Sequence, residues 1–167
     1  MSKSIVVKQL MAHEITPDNF RPFGQMILPA EDDKQYDQED AQLNLENGTP
    51  RFYIMRLDCQ GRKFSKITRH LQCTQCLGSL EGKEWLMAVA PPCAEDAPKL
   101  EDIVAFKIPG NCFIKLEMGT WHAGPYFEYD FVDFYNLELS NTNVVDHFTH
   151  DFAKSHNLEL EIVNKLL

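Results

Sequence analysis

Apolar positions in this chain fall mostly at every second residue or in short unbroken runs, the two signatures of half-buried and fully buried strands. Leu158, Leu160 and Ile162 alternate with Glu159 and Glu161, which predicts a closing strand with one wet face. Trp85 to Ala90 is a continuous apolar run stopped by Pro91-Pro92. Arg51–Leu57, Ile67–Leu71, Ile103–Ile108, Cys112–Leu116 and Phe131–Leu139 are rich in aromatic and β-branched residues and also read as strands, with shorter ones at Ile5–Val7 and Gln25–Leu28. Asn47-Gly48 and Pro109-Gly110 are turn dipeptides between them. Helical signals are few. Thr16-Pro17 predicts an N-cap and first helical residue, in a helix that Pro22 and Gly24 end quickly. A segment over 143–155 predicts a second short helix capped by Asn143. Many short strands punctuated by Gly and Pro predict a sandwich or barrel rather than an α/β sheet.

Composition narrows the function classes. A length of 167 residues suits a single domain over 1–167 with a core of its own. The formal charge of −9 argues against nucleic acid, whose phosphates need a basic face. No apolar run approaches the roughly 20 residues that span a bilayer, so no membrane segment or signal peptide is expected. Five cysteines, an odd number, read as reduced thiols of a cytoplasmic protein, and Cys73-x2-Cys76 as packing and turn residues. The acidic stretch over 31–46 reads as a solvated loop, with a lid as the alternative.

The densest chemistry lies between Thr68 and Gly82. In an extended segment Thr68 and His70 share a face and Arg69 points to the other. The spacing Thr68-x-His70-x4-Gln75-x6-Gly82 resembles the first cupin motif, His-x-His-x4-Glu-x6-Gly. Gly110-x6-Glu117-x-Gly119-x2-His122 is similar to the second, Gly-x5-Pro-x-Gly-x2-His, with one residue added and Glu117 where proline is usual. A cupin is an all-β jelly-roll barrel, and its two motifs bring their side chains together in the barrel mouth. The resemblance therefore implies that His70, Gln75 and His122 meet, with Thr68 and Glu117 nearby. It leaves open whether the site has no cofactor or one divalent metal ion held by His70, Gln75 and His122. Two imidazoles and a neutral amide make a poorer divalent site than three histidines and a glutamate, and Glu117 would restore a carboxylate if it pointed inward.

Other candidates stand beside these. Asp133 shares a face with Phe131, Tyr135, Leu137 and Leu139, so it needs a partner: a histidine to orient, or Arg51 or Arg69. Asp146-His147-Phe148-Thr149-His150 looks like a ligand cluster but reads as solvated surface near a terminus.

Across most of its length the chain resembles the ureidoglycolate lyase family of small dimeric cupins. The resemblance rests on Phe20-x2-Phe23-Gly24, Asn47-Gly48-x2-Arg51-Phe52-Tyr53, Arg69-His70-x3-Thr74-Gln75, Ala105-Phe106 with Gly110, Trp121-His122 and Asp133-Phe134. It departs at Thr68, where the family commonly has an acid, and at Glu117, where it has a histidine. The resemblance implies a homodimer acting on a small hydroxy or keto acid, splitting ureidoglycolate into glyoxylate and urea. It implies His70 and His122 as base and acid in either order, with Arg69, Arg51, Gln75, Thr68, Glu117, Trp121 and Asp133 around the substrate. A non-enzymatic cupin that binds a small organic acid, and a metal-dependent isomerase or dioxygenase, are the competing classes.

Overall fold

The computed structural model describes residues 4–165. Thirteen strands form two sheets in these residues. In chain order they are β1 (Val6–Glu14), β2 (Gly24–Ile27), β3 (Pro50–Asp58), β4 (Lys63–Phe64), β5 (Lys66–Arg69), β6 (Gln75–Ser79) and β7 (Gly82–Ala90). There follow β8 (Val104–Gly110), β9 (Phe113–Leu116), β10 (Trp121–Tyr126), β11 (Phe131–Leu139), β12 (Phe148–Asp151) and β13 (Leu158–Val163). Two short helices, α1 (Thr142–Val145) and α2 (Phe152–His156), flank β12. One sheet has eight strands in the order β12-β5-β10-β7-β8-β1-β13-β4, and the other five in the order β2-β9-β6-β11-β3. The fold is an all-β cupin-like barrel, as the strand pattern and the two motif spacings predict.

Two cores hold it together, and strand alternation decides which residue enters which. Trp85, Met87 and Val89 of β7 meet Leu77, Ile114, Leu116, Val132 and Phe134 of the five-stranded sheet. Their neighbours Leu86, Ala88 and Ala90 point the other way, into a second core within the curl of the larger sheet. That second core holds Ile67, Trp121, Ala123, Leu160 and Phe152. The unbroken apolar run of β7 is thus explained by burial on both faces. At roughly 1.5–3 kcal/mol for each fully buried large side chain, these two layers carry most of the drive to fold. β1 serves both halves of the large sheet: Val6–Met11 pair in parallel with β13, and Ala12–Glu14 with β8.

Two helix expectations are corrected. Residues 17–23 form turns, not a helix. Thr16 and Asn19 each accept the other's backbone N–H on a side-chain oxygen, at 3.1 and 2.8 Å respectively, and Pro22 prevents the single turn they close from extending. The 143–155 segment is not one helix either, because β12 interrupts it to pair with β5. The acidic 31–46 stretch is held against β2 at one end and against the turn before β6 at the other. Gln25 donates to the carbonyls of Gln38 and Asp40 at 3.1 Å and accepts the Gln42 N–H, while Asn44 and Thr74 exchange hydrogen bonds.

Candidate functional site

Register places the motif residues. In the antiparallel pairing of β10 with β5 and β7, His122 lies opposite Thr68 on one side and Val89 on the other. Val89 is in the inter-sheet core, so His122 and Thr68 face the barrel interior. His70 follows β5 and falls on that face too; its ring centroid is 5.0 Å from that of His122. From the small sheet, Gln75 of β6 and Asn136 and Glu138 of β11 share the inward alternation with Leu77, Val132 and Phe134. Gln75, Asn136 and Glu138 are all buried.

The polar groups from the small sheet form one network. The Gln75 amide nitrogen donates to Asn136 Oδ1 at 3.1 Å and to Glu138 Oε2 at 3.2 Å. The Tyr53 hydroxyl donates to Glu138 Oε1 at 3.2 Å and accepts from Asn136 Nδ2 at 3.1 Å. Glu138 thereby keeps two donors although it is removed from water, the condition under which a buried carboxylate is tolerated. The guanidinium of Arg51 lies 3.6 Å from the Tyr53 ring centroid, on the inward face of β3 and open to solvent.

His70 is held in place by Asp146, at the start of the 146–150 cluster. Its Nδ1–H donates to the backbone carbonyl of Asp146, which can only accept, so in the neutral ring Nε2 carries the lone pair. The buried Asp146 carboxylate accepts the N–H groups of Leu71 and Gln72, both at 2.8 Å. His147 then brings a third imidazole to the site, 5.7 Å from His70 between centroids. Its Nδ1 lies 3.4 Å from the Thr149 hydroxyl, which is 2.8 Å from that of Thr68. His150, by contrast, packs on Phe152 and bonds Ser155, away from the mouth.

Burial lowers the pKa of His70 below its ordinary value, against the raising effect of the Asp146 carbonyl and of the Asp146 and Glu138 charges. His122 keeps some accessible surface but is more densely enclosed by protein. Desolvation, reinforced by His70, pushes its pKa down to about 3. Both rings are therefore neutral near pH 7.

Four of the expected substrate residues lie elsewhere. Arg69 points to the opposite face, as alternation requires, with its guanidinium 4.4 Å from the Trp121 ring centroid and donating to the Cys93 carbonyl at 2.9 Å. Trp121 sits in that same outer core, its indole N–H donating to Cys93 Sγ. Glu117 follows Lys115 on the outward alternation of β9 and pairs with it, so it returns no carboxylate to the histidines. Asp133 pairs with Arg56 through two bonds of 2.8 and 2.9 Å on the outer face of β11, not with a histidine, Arg51 or Arg69. Because the pair lies on the outer face with the Arg56 side chain mostly in solvent, Asp133→Asn is expected to move the urea unfolding midpoint little and to leave turnover unchanged.

The residues present do not fit a resident divalent ion. Among the described residues no three His, Cys, Asp or Glu side chains are grouped to hold one. The remaining set of His70, Gln75 and His122 brings no anionic ligand: the amide oxygen of Gln75, buried without a hydrogen-bond partner while the nitrogen serves Asn136 and Glu138, is a neutral donor. A cavity of about 370 Å³ opens between β2 and the 28–40 segment, but its cations Arg21 and Lys34 are already paired with Asp18 and with Asp37 and Asp40. No helix among the described residues is long and apolar enough to cross a membrane.

The family model described as Ureidoglycolate lyase matches residues 7–154, which include every residue of the site described above. No curated protein matches the chain.

Proposed function

Because the chain belongs to the ureidoglycolate lyase family, we propose that it splits ureidoglycolate into glyoxylate and urea with His70 as the base. The observation that carries this reading is the Asp146 carbonyl on His70 Nδ1, which leaves Nε2 free to accept a proton beside His122. In this reaction His70 Nε2 takes the carbinol O–H proton. The freed oxygen pair closes the aldehyde C=O, the C–N bond breaks, and its electron pair stays on the urea nitrogen, which must gain a proton. His122, neutral near pH 7, serves as a hydrogen-bond partner for the carbinol oxygen rather than as an imidazolium donor. Thr68 and Gln75 line the same space, and Arg51, solvent-facing at the rim, suits the substrate carboxylate through its planar guanidinium. No step runs through a metal.

The same reading makes the protein a cytoplasmic homodimer. All five cysteines are free thiols, and the outer face of β3 and β11 leaves Phe52, Ile54 and Phe131 exposed.

Purified protein incubated with ureidoglycolate is expected to release glyoxylate and urea in equal amounts, read by coupled assays for each product. Binding of glyoxylate by calorimetry without any turnover would instead mark an acid-binding cupin that has lost the chemistry.

A further inference from the structure

We propose that His147 is a catalytic residue of this site, the group that delivers a proton to the departing urea nitrogen. The inference rests on the lyase reading and adds to it the acid that reading lacks. Three observations point to His147. Its ring faces His70 at 5.7 Å and 50°. Its backbone is not a loose terminal segment: the preceding residue, Asp146, is buried and locked to Leu71 and Gln72, so His147 is fixed relative to the base. Its Nδ1 adjoins the Thr149 hydroxyl, which bonds Thr68, and this places the ring at one end of a hydroxyl pair rimming the mouth.

Elimination leads to the same residue. His70 is occupied as base through Nε2. His122 is enclosed, and both burial and the neighbouring imidazoles oppose its protonation. The Glu138 carboxylate is an acceptor for Tyr53 and Gln75, and that of Asp146 for two backbone amides. His147 is the solvent-exposed imidazole of the three, so it can regain a proton from water between turnovers. The step balances: the C–N pair moves to nitrogen and takes the His147 proton, while His70 holds the carbinol proton. Exchange through water after product release resets both rings, and no proton is consumed overall.

The test compares wild type, His147→Ala and His147→Gln on ureidoglycolate, with and without added imidazole. Both variants are expected to fold, since His147 is exposed, and circular dichroism with urea unfolding checks this. Loss of kcat by about 10²-fold or more in both, with KM changed by less than about threefold, is the expected result. Added imidazole should restore His147→Ala in proportion to its concentration, which it would not do for a merely structural side chain. Wild-type rates in either variant, loss without imidazole rescue, or a fully active His147→Gln would each overturn the assignment while leaving the lyase reading intact. A wild type that releases no glyoxylate removes the lyase reading itself, and the assignment with it, before any variant is made.

Discussion

Replacing His70 with alanine is expected to slow ureidoglycolate cleavage by about two to four orders of magnitude, the range for loss of a positioned base, while the barrel stays folded. The imidazole belongs to neither apolar core, so its removal leaves both layers of packing in place. The backbone around it is held independently. The His70 carbonyl accepts the Gly119 N–H at 2.7 Å, and the next two amides are bound by the Asp146 carboxylate. What the substitution removes is Nε2, and with it the acceptor for the carbinol proton. The loss should therefore appear in kcat, with a modest drop in the urea unfolding midpoint from the void and the Asp146 carbonyl left without its donor. A variant that keeps more than about a tenth of wild-type kcat would show that another group is the base.

Acidification should destabilise the protein well before its carboxylates titrate. Burial lowers the folded-state pKa of both His70 and His122 below the value of 6.5 expected in the unfolded chain. Between those values the unfolded chain binds more protons than the folded one, so folding stability rises with pH and is lost as pH falls. For His122 the window opens near 6.5 and closes near 3, where the folded-state ring finally protonates. Across the whole window the loss is on the order of a few kcal/mol, a large share of the stability of a domain this size. Asp37 and Asp133 have depressed pKa values and also lose stabilisation in acid, but their contribution falls below the ordinary 3.8. The interval from pH 6.5 to 5 thus isolates the histidines. Urea midpoints should fall steadily across it in wild type and less in His122→Gln. A wild type equally stable at pH 7 and pH 5 would mean that these rings are not held neutral.

Much of the barrel was readable from residue spacing, because β-structure writes burial into alternation. β7 and β13 are the clearest cases, one apolar on both faces and the other on one. The pairing of His70 with His122 was readable too, since two separate motif spacings pointed to one mouth. The sequence misled where a strand is apolar on both faces. In β11, Phe131, Tyr135 and Leu137 drew attention to the face bearing Asp133, yet that face is the outer one. The other face runs Val132, Phe134, Asn136, Glu138, and its two polar members complete the site. The available signal was a polar pair ending an otherwise core-facing row, at the same end of the barrel as Gln75. Asp146 and His147 were missed for another reason. Their role depends on β12 pairing with β5, a contact between residues about 80 positions apart that no local pattern encodes. Glu117 differs in the opposite direction: a spacing resembling the motif put it near the histidines, but the outward alternation and Lys115 claim it.

The dual pairing of β1 has a consequence for the chain as it is being made. Val6 to Met11 find their parallel partner only in β13, about 150 residues later in translation. At roughly 5–20 residues per second, that interval is on the order of ten to thirty seconds. Throughout it a nascent strand bearing Val6, Val7 and Leu10 has one edge with no ladder to join. The acids of β13, Glu159 and Glu161, come from the strand that eventually closes this edge, so they offer it no protection while the ribosome is still upstream of them. The early strand therefore waits for the same late segment that supplies Leu158, Leu160 and Ile162 to the second core, so its edge and that core are completed together.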